Sequence, residues 1–294
     1  MKLTKITPRG FCKGVVDAFV ICKQAAKLYP NKNIYMIGWL VHNIEMIKEV
    51  EKLGIKTIDD KQVDRKTAIE NINDPTNSVL IFSAHGTDEK IIRLAKQKGF
   101  IVYDATCKYV SKTHNLIKEK INEGYQIVYI GVKNHPETIS SLAIDKSIIL
   151  VKKKEDVFNL NFSDSHKIFV TNQTTISIYD FEDVIIELSK KFKNIEFRND
   201  ICKATKDRQD AVINMDDSIE LLLVVGDQRS NNSKKLVEIA KNKGKEAYLI
   251  MNYKDIKSEW LTNKKHIAIT SGCSTPTWLT NYVIISLEKS LGLK

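Results

Sequence analysis

The chain has 294 residues, with 46 Lys+Arg against 36 Asp+Glu, a formal net charge of +10, five Cys and 43% hydrophobic residues. That length suits two or three units of the usual ~100–150 residues, and the apolar share excludes a disordered or fibrous chain. No apolar run approaches the ~18 residues that a membrane helix needs, and the stretch from Met1 to Gly10 lacks the apolar core of a secretory signal.

In chain order, short β-rich apolar runs predict strands at 34–37, 79–82, 127–130, 168–171, 221–225 and 267–270. Amphipathic stretches between them predict helices at 41–53, 88–98, 180–192, 233–241 and 276–291. The polar stretch 59–77 reads as a loop containing a short helix. Strand–helix alternation argues for βαβ units, hence an α/β fold with mainly parallel sheets. An odd number of cysteines does not make a disulfide framework, so a reducing compartment is the better reading. Only six of the basic residues are Arg. Arg reads guanine edges, so this balance argues against sequence-specific nucleic-acid binding and leaves a solvated surface or attraction to anionic partners.

Three copies of one unit emerge from the spacing. Cys12, Cys107 and Cys202 lie 95 and then 95 residues apart, each after a β-like stretch and before a helix-like one. A second polar position follows each cysteine at 30, 28 and 28 residues: His42, His135 and Ser230. A third follows at 73, 67 and 72 residues: His85, Thr174 and Ser274. The expected repeats are 13–102, 103–198 and 199–294, the last completed by a strand within 1–12. Sites in open parallel sheets lie beyond the carboxyl ends of the strands. Three such units facing one another would gather three thiols within a ring of hydrogen-bond donors.

Equal spacing with matching flanks sets those three cysteines apart from Cys22 and Cys273, which read as small buried hydrophobes. There is no C-x-x-C, which argues against a zinc ribbon or a thioredoxin motif. Three thiolates on a cuboidal iron–sulfur cluster would leave one iron open to substrate, and helix N-termini favour the thiolate form. His42, His85 and His135, with Ser230, Asn232, Ser274 and Thr174, form a donor set suited to a phosphate or diphosphate. The turn from Gly226 to Ser233 stands where a phosphate-cradling turn would, without the G-x-G-x-x-G or Walker spacing. Glu137 is either a first-turn helix carboxylate after Pro136 or a proton donor. His114, His166 and His266 have no special context and read as structural or surface residues.

These residues resemble those of the 4-hydroxy-3-methylbut-2-enyl diphosphate reductase family, the last enzymes of the non-mevalonate isoprenoid pathway. The matches are Pro8-Arg9-Gly10-Phe11-Cys12, Val41-His42-Asn43, Phe82-Ser83-Ala84-His85-Gly86 and Asp104-Ala105-Thr106-Cys107. They continue through Gly131, His135-Pro136-Glu137, Gln173-Thr174-Thr175, Cys202-Lys203-Ala204-Thr205, Arg208-Gln209, Val225-Gly226 to Ser230, Asn232, Ser274 and Pro276.

The resemblance implies a trefoil of three α/β domains around a 4Fe–4S cluster held by Cys12, Cys107 and Cys202, with one iron open. It implies a diphosphate ring of His42, His85, His135, Ser230, Asn232 and Ser274, with Thr174 near the substrate hydroxyl and Glu137 as the proton-relay acid. Asn231 stands where many relatives have a second Ser, and its amide can donate as a hydroxyl does. Lys13 replaces a usually small residue. The expected electron donor is ferredoxin or flavodoxin; no nucleic acid or membrane is expected, and the chain should be a monomer or homodimer. The expected compartment is the cytoplasm of a bacterium, or a plastid or apicoplast stroma. Quinolinate synthase, another threefold α/β assembly with one cluster, lacks the Phe82–Gly86 and His135–Glu137 motifs, and an RNA-binding protein is the weaker non-enzymatic alternative.

Overall fold

The computed structural model describes residues 1–163 and 166–293; the expected second and third repeats include residues 164, 165 and 294, which lie outside the described residues. In chain order the elements are β1 (Lys2–Lys5), α1 (Lys13–Leu28), β2 (Asn33–Ile37), α2 (Ile44–Glu51), β3 (Ile55–Ile58), α3 (Arg65–Glu70), β4 (Ser78–Phe82), α4 (Glu89–Gln97), β5 (Ile101–Asp104) and α5 (Lys108–Asn122). The chain continues with β6 (Gln126–Ile130), α6 (Pro136–Leu142), β7 (Ile149–Val151), β8 (Ile168–Asn172), α7 (Ile178–Lys191), β9 (Ile195–Phe197) and α8 (Lys203–Ile213). It ends with β10 (Leu221–Val225), α9 (Asn231–Asn242), β11 (Glu246–Ile250), α10 (Ser258–Leu261), β12 (His266–Ser271) and α11 (Thr277–Ser290).

The described strands form three four-stranded sheets of one topology, β3-β2-β4-β5, β7-β6-β8-β9 and β11-β10-β12-β1, with every pairing parallel. This is the α/β class with parallel sheets that the alternation predicts. The N-terminal strand β1 completes the last sheet, with Lys2 opposite His266 and Lys5 opposite Ile269.

Why the central strands read as unbroken apolar runs is clear in β10, which is buried along its whole length. Successive side chains point to opposite faces of a strand. Leu222 and Val224 pack with Val212, Leu236 and Ile239 from α8 and α9, while Leu221, Leu223 and Val225 pack with Leu279, Val283 and Leu287 from α11. Helices cover both faces, so neither alternate position needs to be polar.

By internal packing the chain divides into two compact units. One holds Met1–Val15, His42–Lys48 and Lys203–Lys294 and contains the β11-β10-β12-β1 sheet. The other holds Val16–Val41 and Glu49–Cys202 and contains the remaining two sheets. Among the described residues no helix is long and apolar enough to cross a membrane.

Candidate active site

Candidate residues stand at the carboxyl ends of the central strands in each unit. The first unit carries Cys12, His42, Ser230, Asn231, Asn232 and Ser274; the second carries Cys107, Cys202, His85, His135, Glu137 and Thr174. A shared local geometry places the cysteines. The Cys107 N–H donates to the carbonyl of Ala84 at 2.9 Å, the Cys202 N–H to that of Thr174 at 3.1 Å and the Cys12 N–H to that of Cys273 at 3.0 Å. Each acceptor lies two residues beyond a central strand (β4, β8 and β12), and each cysteine immediately precedes a helix (α5, α8 and α1). His42, His135 and Ser230 each lie five residues beyond β2, β6 and β10. This register corrects one match made on spacing. Thr174 corresponds to Ala84 and Cys273, and Thr175 is the residue opposite His85 and Ser274.

In the first unit, the turn after β10 holds three of the candidate residues, Ser230, Asn231 and Asn232. Ser230 caps α9: its Oγ accepts from the Ser233 N–H at 3.3 Å and from the Ser233 hydroxyl at 2.9 Å. Both lone pairs are then engaged, which leaves the Ser230 proton to donate elsewhere. Gly272 is required beside it, because a Cβ there would lie 2.0 Å from Ser233 Oγ. Asn231 is the first residue of α9. Asn232 is buried in the same turn, and among the described residues neither end of its side-chain amide has a hydrogen-bond partner. A buried amide left so is costly unless a ligand meets it.

Two residues of this unit hold the segment from His42 to Ile44. The Ser274 hydroxyl donates to the His42 carbonyl at 3.1 Å, and Asp227 Oδ2 accepts from the Ile44 N–H at 3.0 Å. Asp227 also accepts from the Arg229 N–H at 2.7 Å, so backbone donors engage both oxygens of this buried acid. Sequence reasoning missed Asp227, since its bond to the Ile44 N–H spans 183 residues and leaves no local motif to find.

The Cys12 thiol is lowered to about 6, first by a hydrogen bond from Cys273 and further by the charge of Arg208, against the effect of burial. Cys273, expected to be a buried hydrophobe, is buried, and its thiol donates to the Ala204 carbonyl at 3.6 Å besides acting on Cys12. Burial pushes the thiol of Cys22, inside α1, up to about 12.

In the second unit, Gln173 joins the end of β8 to the turn after β6, its Oε1 accepting from the Val132 N–H at 2.9 Å and the Thr138 hydroxyl at 3.2 Å. That join brings the first turn of α6 against Thr174. Glu137 is 2% exposed. Its Oε1 accepts from the Thr174 N–H at 2.7 Å and its Oε2 from the Thr174 hydroxyl at 3.0 Å. Burial raises this carboxyl to about 7, against the lowering effect of both Thr174 bonds.

His135 caps α6, its Nδ1 accepting from the Glu137 N–H at 3.2 Å. Burial, and then the neighbouring His85, hold it well below the usual imidazole value. It is therefore neutral, with Nδ1 as acceptor and Nε2 as the donor. The His85 and His135 rings meet edge-on, with centroids 5.4 Å apart and planes at 86°. The histidines read as structural are bound locally: His266 bridges Thr4 and Ser218 at 2.7 Å each, and His166 meets Ser163 at 2.6 Å. His114 contacts Ser140 at 3.3 Å.

The profile of the LytB protein family matches residues 3–288. The chain belongs to this family. A 4-hydroxy-3-methylbut-2-enyl diphosphate reductase of Malacoplasma penetrans is 64% identical over 295 aligned residues, covering 99% of each chain. One from Symbiobacterium thermophilum is 41% identical over 98% of this chain and 97% of its own. The solved structure of the E-1-hydroxy-2-methyl-but-2-enyl-4-diphosphate reductase from Plasmodium falciparum superposes with a TM-score of 0.89 at 36% identity, covering 98% of this chain and 88% of that one.

The donor chemistry of this LytB chain fits an iron–sulfur group. Cys12, Cys107 and Cys202 are all thiols outside the deep core, each ahead of a helix N-terminus, whereas Cys22 is buried with its proton held.

Proposed function

We infer that the chain carries out the reaction for which its relatives are named, the reduction of (E)-4-hydroxy-3-methylbut-2-enyl diphosphate. The hydroxyl leaves as water with two electrons and two protons, giving isopentenyl and dimethylallyl diphosphate. The chain is an oxidoreductase. The observation that carries this reading is 64% identity over 99% of both chains with a reductase of that name.

Cys12, Cys107 and Cys202 hold a 4Fe–4S cluster with one iron open. Their common place in the three sheets and the lowered Cys12 thiol support this assignment. When bound, the cluster supplies the electrons and a Lewis-acidic iron for the substrate hydroxyl.

The chain's own residues bind, orient and protonate. The neutral His135 imidazole, with His42, His85, Ser230, Asn231, Asn232 and Ser274, directs donors to the diphosphate oxygens. Ser274 also steadies His42 through its carbonyl. Glu137, protonated up to about pH 7, holds a proton for the leaving oxygen, and the Thr174 hydroxyl on its Oε2 is the relay. Electrons come from a small acidic ferredoxin or flavodoxin, to which a net charge of +10 is complementary. The compartment is reducing, a bacterial cytoplasm or an organelle stroma, and the chain acts as a monomer or homodimer.

Anaerobic purification, iron and sulfide analysis, and incubation with the diphosphate and a reduced viologen test the reading. Both isoprenoid diphosphates should appear. Unchanged substrate in a cluster-loaded, reduced sample would overturn it.

A further inference from the structure

The stretch read from sequence as a polar loop contains a half-buried ion pair outside the residues assigned above. Arg65, the first residue of α3, meets Asp60 with Nη2 2.9 Å from Oδ2, and the two side chains are only 14% and 11% exposed. Room for the pair comes from Gly38: a Cβ there would lie 2.6 Å from Asp60 Oδ2 and 3.1 Å from Arg65 Nη2.

The rest of the guanidinium faces the loop that follows β4. Nη2 donates to Ser83 Oγ at 2.9 Å, and Nη1 donates to the Gly86 carbonyl at 2.8 Å and to the Thr87 hydroxyl. Ser83 and Thr87 stand two residues before and two residues after His85. On α6, Ser140 Oγ lies 3.1 Å from the His85 carbonyl and 2.9 Å from that of Glu137, so its one proton serves both acceptors. The loop around His85 is therefore tied to two other elements: α3 through the Ser83 and Thr87 hydroxyls and the Gly86 carbonyl, and α6 through the His85 carbonyl.

We propose that Arg65, oriented by Asp60, is a positioning residue that sets the His85 ring for a diphosphate ligand. This rests on the functional reading above. A planar fork can bond a carboxylate, two hydroxyls and a carbonyl at once, which a lysine ammonium cannot do in the same geometry. Holding the loop before the ligand arrives removes its ordering entropy from the binding step. Arg65 contributes its charge to Asp60 and its remaining donors to the loop, so it acts through His85 and not by touching the ligand.

The test is a double-mutant cycle on the cluster-loaded protein, titrated with inorganic diphosphate and with the substrate under anaerobic conditions. A displacement of about 1 Å can cost up to ~100-fold, so Arg65→Lys should weaken both ligands by about 10-fold or more, with iron content unchanged. In a His85→Ala background the same change should have almost no further effect. In a Ser230→Ala background, which leaves the His85 loop intact, it should act at full strength.

Equal losses from Arg65→Lys in the wild-type and His85→Ala backgrounds would overturn the proposal. Absence of binding by the wild-type protein would instead overturn the functional reading. Amide exchange then tests the loop without any ligand. Arg65→Lys should speed exchange at Ala84 and Gly86, whose N–H groups bond Leu40 and Ser83, while Ile81 in β4 stays protected. Unchanged exchange at Ala84 and Gly86 would sink it. If Arg65→Lys does not fold, Thr87→Val removes one contact of the same clamp and should show the same coupling to His85, in smaller degree.

Discussion

Glu137 closes on Thr174 with both carboxylate oxygens, one on the backbone N–H at 2.7 Å and one on the side-chain hydroxyl at 3.0 Å. A protonated carboxyl shares one oxygen as acceptor and offers its proton through the other, so Thr174 orients the acid and connects it outward. Glu137→Gln keeps the shape and a hydrogen bond to the N–H but has no proton to release. Positioned acid catalysis is worth ~100–10,000-fold, so turnover should fall by at least about 100-fold. Diphosphate affinity and the cluster spectrum should stay near wild type. Stopped-flow turnover beside equilibrium titration checks this.

The same carboxyl predicts two pH dependences. The donor form of Glu137 is lost as pH rises through about 7, so the protonation-limited rate should decline above that point. Thr174→Val removes a bond that stabilises the carboxylate, and the decline should move to higher pH. Stability should also respond. Between 4.5, the ordinary value, and about 7, the folded protein keeps a proton that the unfolded chain has released. Folding then takes up a proton, so stability falls as pH rises through this window and levels off above it. Melting curves of Glu137→Gln should lack this component of the slope.

Six strands predicted from apolar runs are the central pairs β2/β4, β6/β8 and β10/β12, each found within about one residue of its predicted ends. The other six all lie outside those pairs: β1 was expected only as a strand somewhere within 1–12, and β3, β5, β7, β9 and β11 were not predicted. The physical reason is burial. β4 and β10 are buried at every residue, whereas β1 (KLTK) and β9 (IEF) have no buried residue and β5 (IVYD) ends on an acid. An outer strand draws its order from one neighbour's ladder, which leaves no periodic mark in its own residues. The candidate site divides in the same way. The three cysteines and the histidines stood out because they hold recurring places in the repeat, and Glu137 because it is the one acid beside them, but Asp227, Arg65 and Cys273 meet partners distant in sequence that spacing does not encode.

Cysteine substitutions separate ligands from bystanders. A ligand must be a thiolate, and burial holds the Cys22 thiol at about 12, protonated at any working pH. Cys22→Ser should retain iron and sulfide near wild-type amounts. Cys12→Ser, Cys107→Ser and Cys202→Ser should each lose most of the iron and the visible absorbance of the reconstituted protein. A Cys202→Ser protein with full iron content would break the equivalence of the three repeats.

Asn232 and Ser230 should part company when stability and binding are measured side by side. The Ser230 hydroxyl caps α9 through the Ser233 N–H, and losing a cap costs about 0.5–2 kcal/mol of fold stability. Ser230→Ala should therefore lower the melting temperature and weaken diphosphate binding together. The buried side-chain amide of Asn232 has no hydrogen-bond partner among the described residues. Replacing it by Ala removes a desolvated polar group whose burial costs about 1–3 kcal/mol without a partner, which offsets the small cavity left behind. Its melting temperature without ligand should match the wild type or exceed it. Its affinity for diphosphate should fall, because a hydrogen bond to a charged group contributes about 1.5–3 kcal/mol, or roughly 10- to 150-fold. Calorimetric titration of both variants, with unfolding scans of the same samples, reads the two quantities independently. An Asn232→Ala protein that melts well below wild type but binds diphosphate normally would make this amide a structural group and remove it from the anion site.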